Sequence, residues 1–351
     1  MELHNLGFDH WFERQLPTSL QKGCGVARVC AVDRGIYRVR NGSGEIPAEL
    51  AGRLAYTLKS PDELPCAGDW VIVSYYNDDA AALIQQVLPR KSFLRRRSPG
   101  DSRAIQMIAA NIDTAFLVQS CHFDFNPNRL DRYLAMAADG GVTPVVVLTK
   151  TDLIDREDLE QKIALVAAMT TAEVIALSTV TGTGWEALGP HLVAGQTACL
   201  LGSSGVGKTT LINRLVGRKA FETRAVSGTG EGTHTTTRRQ LVVCSQGALV
   251  IDTPGMRELG LADAGEGIEA GFEDIAALAA RCRYADCSHG GEPGCAVAAA
   301  LQNGELAAQR YANYCKLKKE SAYYALSSLD KRKKDKAFGR LVKAVKKRKD
   351  R

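Results

Sequence analysis

One short segment, Gly202 to Thr209, constrains the fold of this chain more than any other. Its residues, Gly-Ser-Ser-Gly-Val-Gly-Lys-Thr, follow the phosphate-loop pattern of a glycine, four residues and then Gly-Lys-Ser/Thr. An apolar run, Ala198 to Leu201, comes directly before it, and apolar residues between Leu211 and Leu215 follow at helical spacing. A strand, a glycine-rich turn and a helix start together point backbone N–H groups at a phosphate. The sequence therefore predicts an α/β domain that binds a nucleoside triphosphate, with a chance Gly/Ser-rich loop as the alternative.

The residues of this loop have distinct predicted roles. The phosphates are expected to lie against Gly202, Ser203, Ser204, Gly205, Val206, Gly207, Lys208, Thr209 and Thr210. Lys208 is expected to bridge the β- and γ-phosphates, and Thr209 to ligate Mg²⁺. Mg²⁺ is accordingly a predicted cofactor that binds together with the nucleotide.

A second motif indicates which base is bound. An apolar run from Val145 to Leu148 leads directly into Thr149-Lys150-Thr151-Asp152. This tetrapeptide resembles the Asn-Lys-x-Asp box of GTPases, in which the aspartate accepts hydrogen bonds from the ring N–H and the exocyclic amine of guanine, a pair of donors that adenine lacks. Thr149 stands where asparagine is usual, so the contact that the asparagine amide makes is left open. Ser178 ends a second strand-to-loop pattern and is the candidate for the loop that encloses the base.

The order of these motifs differs from that of ordinary GTPases. The guanine boxes precede the phosphate loop here, whereas they usually follow it. A later strand pattern ends in Asp252-Thr253-Pro254-Gly255, an Asp-x-x-Gly box whose aspartate reaches Mg²⁺ through water and whose glycine N–H meets the γ-phosphate. Thr235 or Thr236, in the loop between the phosphate loop and this box, is expected to be a further Mg²⁺ ligand. Because a permuted chain can keep the same packing when the original termini lie close together, we predict a circularly permuted GTPase domain over residues 101–262.

The first hundred residues are rich in short strand patterns. Candidates at 24–32, 36–40, 70–74 and 83–88 are separated by turn signals, which predicts an OB-type β-barrel over residues 1–100. The stretch from Ile36 to Arg40 alternates apolar and polar residues, so one face carries arginines. That face either binds nucleic acid or is the solvated face of a structural barrel. The basic connector from Pro89 to Arg97 either contacts phosphate backbones or is a solvated linker.

Four metal-ligating side chains lie close together near the C-terminal end. Cys282, Cys287, His289 and Cys295 have the spacing Cys-x4-Cys-x-His-x5-Cys. Three thiolates and one imidazole suit tetrahedral Zn²⁺, and four protein ligands leave no open position for catalysis. The pattern therefore predicts one structural zinc ion per chain, in a helical zinc-binding domain over residues 263–351. Ordinary buried cysteines beside a surface histidine are the alternative.

The positive charge of the chain is concentrated at its end. From Lys331 to Arg351 there are 12 Lys/Arg against 2 Asp/Glu, a net charge of +10 within a total of +6, so residues 1–330 carry −4. This tail either contacts rRNA or only increases solubility. Ten cysteines, with no leading apolar segment and no apolar run long enough to cross a bilayer, indicate a reducing compartment. We expect a cytoplasmic monomer that has no disulfides and does not bind membranes.

These features together resemble one known family. The carriers of the resemblance are Gly68-Asp69-Trp70-Val71, Ala110-Asn111-Ile112-Asp113, the permuted boxes, the Gly-Thr-His-Thr-Thr-Thr loop at 232–237 and the zinc cluster. They are similar to the ribosome small-subunit-dependent GTPase A family of circularly permuted bacterial GTPases, over roughly residues 20–325. The resemblance implies a multidomain α/β protein that binds GTP and GDP. It also implies a partner, the 30S ribosomal subunit with its 16S rRNA, whose maturation the protein would check at a late stage and which would stimulate hydrolysis.

The predicted reaction is attack of water on the γ-phosphate, with Lys208 and Gly255 as charge-stabilising groups. Met256 stands where Ras-type GTPases have a water-orienting glutamine, and a thioether cannot take that role. His234 is the nearest polar candidate, since an imidazole can accept a hydrogen bond from water. A solvated loop histidine is the alternative. Two other functions stay open: an RNA-binding nucleotide switch with incidental hydrolysis, and a P-loop kinase, against which the guanine boxes argue.

Overall fold

The N-terminal part of the chain closes into a barrel. The computed structural model describes residues 2–33, 35–98, 101–217, 239–253 and 265–325. The barrel strands are β1 (Cys24–Asp33), β2 (Ile36–Arg40), β3 (Glu45–Leu50), β4 (Trp70–Tyr76) and β5 (Ala81–Val87), with short helices α1 (His10–Glu13) before them and α2 (Gly52–Thr57) between β3 and β4. β1 pairs with β2 and β4, β2 pairs with β3, β3 runs parallel to β5, and β5 pairs with β4. The strands therefore close on themselves, and the predicted OB-type barrel is confirmed.

The alternation in β2 produces two different faces. Tyr37 and Val39 are buried in the barrel core. Arg38 and Arg40 are partly exposed, and both form ion pairs with Glu45 of β3. The arginine face is therefore partly neutralised within the sheet, and its role in nucleic-acid binding stays a prediction.

The segment interpreted as a possible linker is a strand. β6 (Phe93–Ser98) pairs antiparallel with β7 (Asp101–Ala110). Arg95 donates two hydrogen bonds, at 2.9 and 3.1 Å, to Asp139, the last residue of α3 (Pro127–Asp139), and Arg97 is buried. The solvated-linker interpretation is wrong for this part of the chain, because its arginines belong to a paired strand and not to a free coil. The boundary predicted after residue 100 falls inside this hairpin, and the division into three domains stays a prediction.

A mainly parallel sheet carries the phosphate loop. Its spatial order is β10 (Glu173–Ala176), β9 (Thr143–Thr149), β8 (Thr114–Ser120), β11 (Thr197–Leu201), β13 (Leu249–Asp252) and β12 (Arg239–Val243). Only β12 runs antiparallel to its neighbour within this set of described strands. Helices α4 (Arg156–Ala167) and α5 (Lys208–Val216) follow β9 and β11. The strand that leads into the phosphate loop is therefore central in the sheet although three parallel strands of the same sheet, β8, β9 and β10, precede it in the chain, as the permuted order predicts.

A buried arginine joins the barrel to this sheet. β1 pairs with β12 at Ala31–Gln240 and Val32–Arg239, so hydrogen bonding continues from one to the other. The Arg28 side chain is 1% exposed, and its guanidinium donates, at 2.5 to 3.1 Å, to oxygen atoms of Leu6, Gly68, Asn111 and Thr197. Burial lowers the pKa of Arg28 to about 10, so the group is still charged at neutral pH. Two segments that carry the family resemblance, around Gly68 and Asn111, thus meet at this junction.

The C-terminal helices pack on α3 through α6 and α9. They are α6 (Gly265–Gly271), α7 (Glu273–Ala279), α8 (Ala296–Asn303) and α9 (Ala308–Ala325). Arg310 of α9 pairs with Asp131 of α3 at 2.7 Å and with Asp274 of α7 at 2.6 Å, and Asn313 donates to Asp131 at 2.6 Å. Burial raises the pKa of Asp131 in spite of the Arg310 charge.

One face of α9 belongs to the core. Tyr314 and Leu317 are buried, with Tyr314 packed against Phe272.

Across the part of the chain that the structure describes, every helix is too short or too polar to span a bilayer.

Candidate nucleotide site and metal centre

The phosphate loop runs from the end of β11 to the start of α5. A Cβ atom at Gly202 would lie 2.5 Å from the carbonyl oxygen of Val118 in β8, so only glycine fits there. Gly207, directly before α5, has a φ of +102°, a conformation that side chains with a Cβ atom rarely adopt. The phosphate loop is thus held close to β8. The first turn of α5 begins at the end of the loop, where Thr209 is half-buried and Thr210 is exposed.

Two buried charges lie beside this loop. Lys208 is 7% exposed, and its Nζ donates to the carbonyl oxygens of Gly202 and Ser203, each at 2.6 Å. Burial lowers the pKa of Lys208 to about 8, and the charges of Asp252 and Asp124 oppose this shift. Asp252, at the end of β13, is 3% exposed, and burial raises its pKa to about 6 while the Lys208 charge opposes the rise. Both groups therefore change charge close to neutral pH.

Thr149 connects the guanine box to the phosphate loop. Its side chain is 1% exposed, and Oγ1 lies 2.6 Å from the carbonyl oxygen of Val206 and 3.1 Å from that of Gln119. The contact that the sequence left open is thus made by the threonine hydroxyl, directly to the phosphate loop.

The two base-binding segments are joined to each other. Ser178 is fully buried and donates from Oγ to Asp152 Oδ1 at 2.5 Å, while the backbone N–H groups of Val180 and Thr181 donate to Ser178 Oγ at 3.1 Å. Asp152 itself is exposed, and Lys150 has a φ of +59°, which turns the chain sharply after β9. Asp152 and Ser178 therefore lie together at the carboxyl edge of the sheet.

An arginine that the sequence analysis did not include holds the base-enclosing loop. Arg214 of α5 donates to the carbonyl oxygen of Thr179 at 3.1 Å, and its guanidinium lies 4.2 Å from the ring centroid of Trp185. No motif marks this residue, because its role depends on how α5 packs beside the loop.

Two further residues that no sequence motif marks contact the phosphate loop. Asp124, in the loop between β8 and α3, accepts hydrogen bonds from Ser203 Oγ and, at 2.6 Å, from Arg129 Nη1. Arg129 Nη1 also lies 2.9 Å from Ser203 Oγ. Asn126 caps α3 by accepting from the N–H group of Arg129, and the Asn126-Pro127 pair was a usable helix-start signal. The proximity of Asp124 and Arg129 to Ser203 follows only from the adjacency of β8 and β11 in the sheet.

Several predicted residues lie outside the described part of the chain. They are His234, Thr235, Thr236 and Gly255, together with the basic tail from Lys331. Their predicted roles stay predictions.

The four predicted metal ligands come together in space. The ligand atoms of Cys282, Cys287, His289 and Cys295 all lie within 4.8 Å of one another. His289 Nδ1 is 3.6 Å from Sγ of Cys282 and of Cys295, and these two sulfur atoms are 3.9 Å apart. Tetrahedral coordination at normal Zn–S and Zn–N bond lengths places ligand atoms about 3.5–3.8 Å apart. The three distances among Cys282, His289 and Cys295 are close to these values, and the four residues together could hold one metal ion. Cys295 also caps α8, because its Sγ accepts from the N–H group of Ala298 at 3.3 Å.

The strand that leads into the phosphate loop is central in the sheet, and a guanine box contacts that loop. The guanine boxes precede the loop in the chain. These features define a circularly permuted P-loop GTPase. A sequence model of the RsgA GTPase family matches residues 87–262. The chain is also 44% identical to the small ribosomal subunit biogenesis GTPase RsgA of Opitutus terrae, over 93% of this chain and 91% of that protein. The chain therefore belongs to the RsgA GTPase family, and it is a GTP-hydrolysing enzyme.

Further relatives agree with this assignment. A small ribosomal subunit biogenesis GTPase, RsgA 2, of Lactiplantibacillus plantarum is 42% identical over 95% of each chain. Among solved structures, YjeQ from Thermotoga maritima superposes with a TM-score of 0.63 at 28% identity, covering 85% of this chain and 99% of that one. YloQ, described as a circularly permuted GTPase, superposes with a TM-score of 0.59 at 25% identity, covering 88% of this chain and 100% of that one. The predicted permuted fold is thereby confirmed.

Proposed function

We propose that this GTPase acts as a late-stage checkpoint in maturation of the 30S ribosomal subunit, and that the subunit stimulates its hydrolysis of GTP. The observation that carries the nucleotide part of the proposal is the hydrogen bond between Thr149 Oγ1 of the guanine box and the carbonyl oxygen of Val206 in the phosphate loop, which supports taking the two motifs as one guanine-nucleotide site. The relatives named small ribosomal subunit biogenesis GTPases support the choice of partner.

The reaction is attack of water on the γ-phosphate. Lys208 is the residue that we expect to neutralise the β- and γ-phosphates, because it is the buried cation of the loop. Thr209 and Asp252 offer the hydroxyl and carboxylate oxygen atoms that Mg²⁺ prefers, and Thr235 or Thr236 completes the proposed set. When bound, Mg²⁺ supplies positive charge for the phosphate oxygens.

The remaining proposed groups orient the reaction. The N–H group of Gly255 donates to the γ-phosphate, and His234 accepts a hydrogen bond from the attacking water. On this proposal, binding of the subunit orders the switch loop that carries His234, and GTP binding reciprocally changes affinity for the subunit.

The modules on either side of the GTPase sheet serve as the proposed contacts to the subunit. The barrel and the basic tail from Lys331 would approach 16S rRNA, because Lys and Arg side chains bind phosphate backbones. The Cys282, Cys287, His289 and Cys295 cluster holds one structural zinc ion in this proposal, and the protein acts as a monomer. Salt-dependent association with the subunit is the expected signature of such contacts.

The test is GTP hydrolysis by the full chain with and without purified 30S subunits. We expect slow intrinsic turnover that the subunit raises by more than about tenfold. Lys208→Ala should lose both activities, whereas His234→Ala should lose the stimulated part and keep GTP binding. Binding to the subunit without any stimulation would instead favour the alternative, an RNA-binding nucleotide switch with incidental hydrolysis.

A further inference from the structure

A charged pair contacts a side chain of the phosphate loop. Asp124 and Arg129 belong to the loop and first helical turn that connect β8 to α3, and both contact the side chain of Ser203, the second residue of the phosphate loop. The two charges also pair with each other, at 2.6 Å between Arg129 Nη1 and Asp124 Oδ2. We name Asp124, Arg129 and Ser203 the phosphate-loop clasp.

The carboxylate of the clasp has an unfavourable position for a site that binds phosphates. Its charge acts on Lys208, the cation of the loop, and therefore also reaches the place where a nucleotide phosphate would meet that lysine. A negative charge that acts at this place repels a di- or triphosphate. Arg129, paired with Asp124 at 2.6 Å, carries the opposite charge, and we expect it to offset this repulsion as long as the pair is intact.

The side chains are only partly shielded from solvent. Asp124 is 35% exposed and Arg129 is 25% exposed, so the pair itself contributes little to the stability of the fold. A pair that stabilises little, yet contacts Ser203 of the phosphate loop, can act mainly on a ligand of that loop.

We propose that Asp124 and Arg129 are positioning residues that set the affinity of the phosphate loop for nucleotide, with Asp124 lowering it and Arg129 raising it. Both act through Ser203 and through the electric field at Lys208, not by contact with the reacting atoms. The inference rests on the proposed function only in taking the ligand to be a guanine nucleotide.

The two charges predict shifts of opposite sign. Asp124→Asn keeps an oxygen acceptor for Ser203 but leaves the Arg129 charge uncompensated beside the phosphates, so affinity for GDP should rise about threefold. Arg129→Gln leaves the carboxylate uncompensated, so affinity should fall by about threefold or more. The double variant removes both charges and should bind within about twofold of the wild type.

The same helix offers a matched control. Arg132, three residues further along α3, pairs with Glu320 of α9 through two hydrogen bonds of 2.9 and 2.7 Å, on the side that packs against the C-terminal helices. Arg132→Gln and Glu320→Gln therefore remove the same types of charge from a comparable pair that does not contact the phosphate loop. They should leave GDP affinity unchanged.

The experiment is an equilibrium titration of the full-length variants with fluorescent GDP at pH 7, below the pKa of Lys208, in low and in high salt. Opposite shifts for the two single variants that shrink in high salt, restoration in the double variant and unchanged controls are the expected result. A purely structural role would weaken binding in both single variants, and that outcome, or equal shifts in the Arg132 controls, overturns the proposal. Failure of the wild type to bind GDP would instead contradict the proposed function.

Discussion

Single side chains at the nucleotide site carry charges that titrate near neutrality. Lys208 and Asp252 are both buried, and burial moves each pKa toward neutral pH, downward for the ammonium group and upward for the carboxylic acid. Thr149 works differently, since its neutral hydroxyl fixes the position of the guanine box relative to the loop at any pH. The affinity of the site should therefore depend on pH while its shape does not.

We expect GDP affinity to fall on both sides of neutral pH. Above about pH 8 Lys208 loses its proton, and the neutral amine no longer attracts phosphates, so affinity should fall by up to about tenfold per pH unit. Below about pH 6 Asp252 becomes protonated, and a metal ion has to displace that proton. Titrations with and without Mg²⁺ separate the two effects, because the loss at low pH should disappear without Mg²⁺. Persistence of that loss in metal-free buffer would count against Asp252 as a Mg²⁺ ligand.

At the scale of elements, the sequence predicted those strands whose apolar runs are uninterrupted. β9 and β11 lie within two residues of their predicted bounds, because both faces of a central parallel strand are covered and the middle of each strand is apolar. β3 was missed, since Pro47 and two glutamates hide its alternation. The arginines of β6 suggested a connector, although the pairing with β7 decides the structure.

The functional residues were predictable only where the residues of a site lie close together in the sequence. The phosphate loop and the metal ligands are local in sequence, so spacing alone identified them. Asp124 is 79 residues from Ser203, and only the order of strands in the sheet brings the two together. Arg214 likewise reaches Thr179 across 35 residues.

We expect Cys287→Ser to remove the metal and to destabilise the C-terminal helices while GDP binding is largely kept. The thiolates hold the turn after α7 and the start of α8, and metal binding contributes on the order of several kcal/mol to such a segment. Elemental analysis should find one zinc ion per wild-type chain and less than one in the variant, with limited proteolysis reporting the helices. Cys315→Ser, on α9 outside the cluster, is the control. A fully folded wild-type protein that contains no metal would contradict the zinc assignment.

At the scale of the whole molecule, the barrel and the GTPase sheet are not independent. β1 contributes both to the closed barrel and to the pairing with β12, and Arg28 links the N-terminal segment, the barrel and the first residue of β11. Since β11 leads into the phosphate loop, a disturbance of the junction should reach the nucleotide site.

Arg28→Met should lower both the stability of the protein and its GDP affinity. The variant leaves the carbonyl oxygens of Leu6 and Asn111 buried without their donor, while that of Gly68 keeps only the Asn111 side-chain amide, and we expect a cost of about 3 kcal/mol or more. Urea denaturation and GDP titration measure the two effects. Arg38→Met, which removes a partly exposed arginine paired with Glu45, should change neither by much. A variant that unfolds earlier but binds GDP normally would show that the junction only supports the barrel.

The pairing of β1 with β12 also determines the order in which the chain can be completed during its own synthesis. Barrel strands and the guanine-binding half of the sheet leave the ribosome before the phosphate loop, and β12 leaves later still. Until β12 has been synthesised, the edge of β1 at Ala31 and Val32 has no strand with which to form hydrogen bonds. Arg28 likewise lacks its partner Thr197, which lies 169 residues downstream, until that residue has been synthesised. An unpaired strand edge is the usual starting point for association between nascent chains. Production at low temperature, or with chaperones that cover exposed strands, should therefore improve the yield of this protein more than that of a GTPase with no such link.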